Sequence, residues 1–295
     1  MKPTTVRQFF KLYPDDATCL AHLFNVRFGQ GHVCPKCERA ARWYPLASEK
    51  AFSCQWCGHH LHPMAGTIFQ DSRTPLQLWF YAVFLFTTTR HGVSAKELQR
   101  QLGVTYKTAW RMGHQIRQHM ALVDGEEPLG GEGRIVEVDE TYIGGRDSRS
   151  TGMGTFNKTV VLGMVEPGGG EAVIEVVPDA KRETIHAAIE ANVAKGTEIH
   201  ADMHLAYNGL HKKGYGLRRV NKTQSGYVSP SGATVNAVEN FWRHLKCSIQ
   251  GTHISVSKKH MARYAKEFEY RFNRRMTPGA MLSELLSRFP ELASE

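Results

Sequence analysis

The segment Arg134–Arg146, RIVEVDETYIGGR, constrains this chain more than any other, because it sets an acidic pair inside a stretch that otherwise reads as a buried strand. Ile135, Val136 and Val138 are β-branched and lead into Asp139 and Glu140; Thr141, Tyr142 and Ile143 continue the extended pattern, and Gly144-Gly145 ends it. A carboxylate in a central strand is costly to bury unless a cation or a metal offsets its charge. The arrangement recurs downstream. In Gly196–Asp202, GTEIHAD, a short strand runs out into Asp202, 63 residues after Asp139. A third acid, Glu239, follows 37 residues later in NAVENFWRHLKCSIQ.

Helical periodicity places Glu239. Val238, Phe241, Trp242, Leu245 and Ile249 form an apolar stripe that must face a core. Glu239 lies about 100° off that stripe, at the border from which a side chain reaches a neighbouring sheet. Asn236, Arg243, Lys246 and Gln250 share its flank. The helix alone is equally well read as carrying an exposed Glu239–Arg243 pair worth a few tenths of a kcal/mol, on the order of other i,i+4 pairs. The two preceding aspartates tip the reading toward one shared site. Three acids on strand, strand and helix form the donor set that two-metal phosphoryl transfer on nucleic acid requires, with Mg2+ (or Mn2+) as the expected ion. Asp139 would bridge two ions, and Asp202 and Glu239 would complete one coordination sphere each. Glu140, adjacent in a strand, points to the opposite face, which suits structural pairing.

The intervening elements have a definite order. Thr159–Glu166 and Glu171–Val177 read as a hairpin around Pro167-Gly168-Gly169-Gly170. Ala180–Lys195 is predicted helical with Gly196 as its stop, Glu198–Ala201 is a strand, Leu205–Lys212 a short helix, and Leu217–Val220 a further strand. Strand, hairpin, helix, strand, short helix, strand, long helix is the ribonuclease-H-like order. The fold class is therefore α/β: a ribonuclease-H-like mixed sheet flanked by helices, with Asp139 on the first strand, Asp202 ending the fourth and Glu239 on the late helix.

A second motif precedes this region. Cys34-Pro-Lys-Cys37 and Cys54-Gln-Trp-Cys57 are two CxxC pairs with sixteen residues between them, the zinc-ribbon spacing for four thiolates about Zn2+. Two disulfides are the alternative, but no signal peptide opens the sequence to suggest an oxidising compartment. His59, His60 and His62 follow closely; with four cysteines present, a solvated or DNA-facing role fits them better than ligation. Cys19 and Cys247 have no partner spacing and read as small buried residues.

Between ribbon and sheet lies a helical region. Thr74 is the expected cap, with Pro75 at the first position of the apolar helix LQLWFYAVFLFTTT. That run is too short for the roughly 20 residues a bilayer span needs, so it is a core helix and no membrane partner is expected. In VSAKELQRQLGVTYKTAWRMGHQIRQHM, Ser94 caps a helix to Leu102, Gly103-Val104 turns, and Thr105 opens a second helix. Ala109, Met112, Gly113, Ile116 and Met120 line its inner face, while Lys107, Arg111, His114 and Gln118 point outward. This is a helix-turn-helix pattern whose second helix would enter a DNA major groove; a hairpin used only for packing is the bland alternative.

Composition agrees with a nucleic-acid partner. The 295 residues are 41% hydrophobic, enough for a sizeable core, and carry a net charge of +9. From Lys212 to Arg275 there are fourteen Lys/Arg against three Glu. A basic run is usually a solvated face, but this one surrounds a proposed catalytic acid. Arg243, Lys246, Arg271, Arg274 and Arg275 are therefore expected, with Lys107, Arg111 and His114, to contact double-stranded DNA. Asp124–Gly133, Gly-rich and acidic, marks a hinge, and Gly144–Asn157 is a polar loop. The expected organisation is an N-terminal helical segment (1–28), a zinc ribbon (29–70), a helical helix-turn-helix-like region (71–124) and a catalytic domain (130–285).

The chain also resembles a known family. GTIFQDSRTPLQLWFYAV, VEVDETYIGG, HADMHLAYNGL and VNAVENFWRHLKCSIQGTHISVSKKHMARYAKEFEYRFNRR are similar, in order and spacing from about Cys34 to Arg275, to bacterial insertion-sequence transposases with an amino-terminal zinc ribbon and a DDE domain. The resemblance implies that Asp139, Asp202 and Glu239 are a catalytic triad, that element ends are cut and joined to target DNA, and that a homo-oligomer acts on DNA in the bacterial cytoplasm at the nucleoid. Some relatives lack Glu at the third position; this sequence has the fully acidic version. A hydrolytic nuclease or resolvase on the same fold, and a catalytically inert zinc-ribbon regulator, are the alternatives; three retained carboxylates count against the second.

Overall fold

The computed structural model describes residues 2–125, 127–144, 158–221, 228–229 and 232–290. Contacts divide the chain into two compact units, Met1–Val123 with Thr277–Glu295, and Asp124–Met276.

In the first unit, Thr5 and Gln8 form a capping box on α1 (Val6–Leu12), and Asp15 accepts the Thr18 N–H at 2.7 Å to cap α2 (Asp16–Arg27). Strands β1 (Trp43–Pro45), β2 (Phe52–Cys54) and β3 (His60–Leu61) make a small antiparallel sheet, against which Phe24 of α2 stacks on Phe52 with ring centroids 4.1 Å apart. Helix α3 (Leu76–Thr88) buries residues nearly all round, including Trp79, Phe80, Val83, Phe84 and Phe86, which accounts for its apolar sequence. No helix among the described residues is long and apolar enough to cross a membrane. Its start departs from expectation. Pro75 occupies the cap position and Thr74 does not cap; Asp16 of α2 instead accepts the Gln77 N–H at 2.8 Å.

Ser94 caps α4 (Ala95–Leu102), Gly103 takes the left-handed conformation that ends it (φ 64°), and Thr105 Oγ1 accepts the Thr108 N–H to open α5 (Tyr106–Asp124). The C-terminal helix, Met281–Ser287, belongs to this unit, because His119 donates to the Leu285 carbonyl at 2.8 Å and His22 to the Leu286 carbonyl at 2.7 Å. The sequence reading had run the catalytic region on to residue 285.

The second unit is built on five strands: β5 (Ile135–Ile143), β6 (Thr159–Val165), β7 (Ala172–Val177), β9 (Glu198–Ala201) and β10 (Gly216–Arg219), in the order β10-β9-β5-β6-β7. The hairpin strands are antiparallel, whereas β9 and β10 run parallel to β5, which is the ribonuclease-H-like arrangement. Helix α6 (Arg182–Asn192) covers one face through Ile185 and Ile189, meeting Val136, Val138 and Leu162. Helices α7 (Asn236–His253) and α8 (Met261–Asn273) share a core with the other face through Phe241, Trp242, Leu245 and Met261. Helix α6 stops at Asn192, short of the predicted Lys195. Val193–Ala194 turns extended as strand β8, pairing in parallel with β4 (Leu129–Gly130).

Candidate active site and metal centre

The four cysteines converge. Cys34 Sγ and Cys57 Sγ are 3.6 Å apart, Cys37 Sγ and Cys54 Sγ are 3.9 Å apart, and all four lie within 4.8 Å of one another. Four sulfurs at about 2.3 Å from one tetrahedral ion would be separated by about 3.8 Å, so the set fits Zn2+. Each knuckle is closed by the same local geometry. A left-handed residue follows each CxxC, Glu38 (φ 57°) and Gly58 (φ 67°), whose N–H groups return to the Cys34 and Cys54 carbonyls. Burial raises the Cys34 and Cys37 thiols. At Cys34 the N–H groups of Cys37 and Lys36 outweigh it and hold the thiol at about 7, whereas Cys37, facing three other sulfurs, is pushed up to about 12. His59, His60 and His62 stay outside the cluster, and His60 faces Glu49 at 3.3 Å. Cys247, expected to be buried, is exposed.

The carboxylates assemble differently. Asp139 lies mid-β5, opposite Gly163 of β6. A Cβ at position 163 would come within 2.5 Å of the Trp242 ring, so the missing side chain lets Trp242 approach the sheet, where its indole N–H donates to Asp139 Oδ2 at 3.1 Å. Strands β5 and β9 run parallel with Val138 opposite Ala201, so Asp139 and Asp202 each follow the last registered pair. Asp202 has left the strand. Its Oδ1 accepts the His204 N–H at 2.8 Å, while Arg219 donates to the Asp202 carbonyl at 3.1 Å and the His204 carbonyl at 2.7 Å. Glu239, in the first turn of α7, lines one open cleft with Asp139, Thr141, Trp242, Arg243 and Lys246.

The three acids do not converge as the four sulfurs do: among the described residues only the cysteines bring three or more ligand atoms together. The Asp202 carboxylate is turned toward its own loop. Asp139 and Asp202 nonetheless act on one buried group. Burial, then the charges of Glu140, Asp139 and Asp202, push the Tyr207 phenol well above its ordinary range. Glu140 points away from the cleft and accepts the Tyr207 hydroxyl at 2.6 Å, as alternation along the strand requires. An all-oxygen donor set beside an open cleft suits Mg2+ or Mn2+ and not a soft metal.

A family model described as an ISXO2-like transposase domain matches residues 128–273, and one described as a transposase zinc-ribbon domain matches residues 14–60. An uncharacterized protein in transposable element ISH50 of Halobacterium salinarum is 26% identical over 267 residues, covering 84% of this chain and 88% of that protein. The chain belongs to the insertion-sequence transposases. An uncharacterized transposase-like protein of Haemophilus influenzae is 29% identical over 98 residues, 33% of this chain and 77% of the relative. Among solved structures, the catalytic core domain of BIV integrase matches 46% of the chain and 80% of its own length at 16% identity, with a TM-score of 0.31.

The cations expected to touch DNA divide sharply in this transposase. Lys107 and Arg111 of α5 are exposed, and Arg243 and Lys246 of α7 are exposed in the cleft beside Glu239. His114 is not available: it is 2% exposed, with its ring centroid 3.9 Å from that of Trp110 one turn earlier. Arg271 is buried and bonded to Glu267 at 3.0 Å. Arg274 pairs with Asp124 and lies 4.1 Å over the Tyr270 ring. Arg275 donates to the Phe272 and Gly170 carbonyls at 2.7 and 2.9 Å. Arg271 is thus buried and Arg274 and Arg275 half-buried, each engaged within the second unit.

Sequence reasoning passed over Glu137, which is 1% exposed on the same face of β5 as Asp139. Strand alternation was the available signal: a second acid two residues before Asp139 must point the same way and find partners there.

Proposed function

We propose that this transposase cuts the ends of its element and joins them to target DNA by divalent-metal-dependent phosphoryl transfer, with Asp139, Asp202 and Glu239 as the metal-holding carboxylates. The supporting observation is the parallel register of β5 and β9, which sets Asp139 beside Asp202 while α7 brings Glu239 into the cleft that Asp139 lines. Mg2+ or Mn2+ held there supplies a lowered water pKa and stabilises charge on the leaving 3′ oxygen. The chain's own groups do the rest. Trp242 fixes one oxygen of Asp139, the His204 N–H orients Asp202, and Arg243 and Lys246 neutralise the phosphates that approach the cleft. Joining reuses the same site, with the freed 3′-OH replacing water as nucleophile. The cysteine cluster holds one structural Zn2+, α5 presents Lys107 and Arg111 to element-end DNA, and the protein acts as a homo-oligomer in the cytoplasm at the nucleoid.

Asp139→Asn, Asp202→Asn and Glu239→Gln, each assayed for cleavage and strand transfer on end DNA, test this. Each variant should fold and bind DNA at wild-type affinity while both chemical steps fall on the order of a thousandfold or more. Near-wild-type joining by any one of them would remove that residue from the site. Wild-type protein that cleaves without joining would be a hydrolytic nuclease.

A further inference from the structure

The residues beneath the two aspartates form a layer of their own. Glu137 and His200 are paired in the β5–β9 register, each two residues before an aspartate: Glu137 before Asp139, His200 before Asp202. Both are buried, at 1% and 4% exposure. Both also reach one short segment. Glu137 accepts the Thr234 hydroxyl at 3.1 Å, and His200 Nδ1 accepts the Thr234 N–H at 3.3 Å. Glu198 accepts from His200 Nε2–H at 3.0 Å, which keeps the proton on that nitrogen and leaves Nδ1 as acceptor. Glu137 then accepts two further N–H groups, from Ala237 at 2.7 Å and Val238 at 3.1 Å.

These are orphan N–H groups of the first turn of α7, whose cap residue Val235 offers no side-chain acceptor; Thr234 Oγ1 takes the Asn236 N–H at 3.0 Å, which leaves those of Ala237 and Val238 to Glu137. A carboxylate 100 residues earlier in the chain does that work. It also sets where the helix begins. Glu239 follows Val238 directly, so the bonds that seat Ala237 and Val238 on β5 fix the Glu239 backbone relative to Asp139. A carboxylate is suited to this, since it is acceptor-only and can take several N–H groups at a helix N-terminus. Glutamine offers one acceptor oxygen and turns an NH2 toward those donors.

We infer that Glu137, steadied with His200 through Thr234, is a positioning residue that holds the start of α7 and thereby places Glu239 for metal binding. This rests on the metal-site reading of Asp139, Asp202 and Glu239. The test is Mn2+ titration of the full-length, zinc-loaded protein, followed by electron paramagnetic resonance of free Mn2+ well below the melting temperature. Glu137→Gln should weaken one Mn2+ site about tenfold, as substitutions of groups that orient metal ligands do. Glu239→Gln should weaken it comparably, and the double variant no further than Glu239→Gln alone, because both act through one ligand. Thr234→Val, which removes one donor to Glu137 and the acceptor of the Asn236 N–H, should weaken the same site by a smaller factor, and it carries the test if Glu137→Gln does not fold. Thr234→Ser, which keeps both bonds, should restore the affinity.

Wild-type Mn2+ affinity in folded Glu137→Gln, with only a lowered melting temperature, would overturn the inference, as would additive losses in the double variant. Unchanged Mn2+ binding in both Asp139→Asn and Glu239→Gln would overturn the metal-site reading itself, and the inference with it. Loss in those two but not in Glu137→Gln or Thr234→Val overturns the inference alone.

Discussion

Helices α7 and α8 come from the same basic stretch of sequence, yet they use their cations in opposite ways. On α7 a narrow apolar stripe faces the sheet, and Arg243 and Lys246 stand exposed in the cleft. On α8 the charged residues face inward: Glu267, Glu269 and Arg271 are all buried. The difference follows from what each helix covers. Helix α7 covers the face of the sheet at β5 and β6, whose backbone groups are already paired within the ladder. Helix α8 runs against β7, the edge strand, which has backbone groups that no further strand satisfies. Side chains of α8 supply the partners. Glu269 accepts the Ile174 N–H, and Asn273 brackets Ala172, accepting its N–H at 2.8 Å and donating to its carbonyl at 3.1 Å. Glu269, drawn inside for that purpose, has Lys266 beside it at 2.9 Å, and one turn of α8 also buries Glu267 with Arg271 at 3.0 Å.

The largest effect that can break this contrast is expected at Arg271. If its role is internal, Arg271→Ala removes the cation 3.0 Å from the buried Glu267 carboxylate, costing about 3–5 kcal/mol in denaturant unfolding. Glu267→Gln with Arg271→Met should recover most of that loss, since neither charge then needs a partner. The folded fraction of either variant should bind DNA as the wild type does. A specific loss of DNA affinity with unchanged stability would return Arg271 to the binding surface.

Glu269 gives a test that depends on pH. Burial pushes its carboxyl up to about 7, despite the Lys266 ammonium and the Ile174 N–H, both of which favour the ionised form. The unfolded chain releases that proton at about 4.3. Between those values the native state holds a proton that the unfolded state has lost, so this group's stabilising contribution is full below about 4.3 and is lost as pH rises through about 7. The slope is at most about 1.4 kcal/mol per pH unit. Stability of the wild type minus that of Glu269→Gln, measured from pH 4.5 to 7.5, should therefore fall as pH rises. A flat difference would mean that the carboxylate stays ionised against β7 throughout.

How much of this was legible beforehand depends on the distance over which each partner acts. The cysteine cluster could be read from spacing, because both knuckles are local turns and their geometry travels with the motif. Asp139, Asp202 and Glu239 could be nominated from strand and helix patterns, and the strand order could be read from element order. Their register could not: that Val138 lies opposite Ala201 is fixed by non-local pairing. Glu137 escaped because its partners lie a hundred residues away, at the start of α7. His114 is buried where an outward placement is expected; Trp110, one turn earlier, lies against its ring, a contact that i,i+4 spacing does offer. Arg271 turns inward for the reason that separates α7 from α8, whereas Arg274 and Arg275 follow the end of α8 and are engaged by Asp124 and by the Phe272 and Gly170 carbonyls. Composition records the sign of a charge, while its partner is set by whether the helix meets a face or an edge of the sheet.

The smallest expected effect sharpens the other side of the contrast. Arg243 and Lys246 are exposed, so replacing either with Ala should change stability by no more than about 0.5 kcal/mol, the usual range for surface positions. Their role should appear only with DNA. Each phosphate contact removed lowers the slope of log affinity against log salt by about 1, because one fewer counterion is released. Lys246→Ala should therefore weaken binding roughly uniformly across DNA sequences, most at low salt, with the two proteins converging as salt rises. Arg274→Ala is the matched comparison: its guanidinium is committed to Asp124, so it should leave the salt slope unchanged while lowering stability. If the two variants exchanged behaviours, so that Arg274 carried the salt slope and Lys246 the stability, the face-and-edge account of these helices would be wrong. If both lowered the slope, the residues that end α8 would bind DNA as well as pair with Asp124.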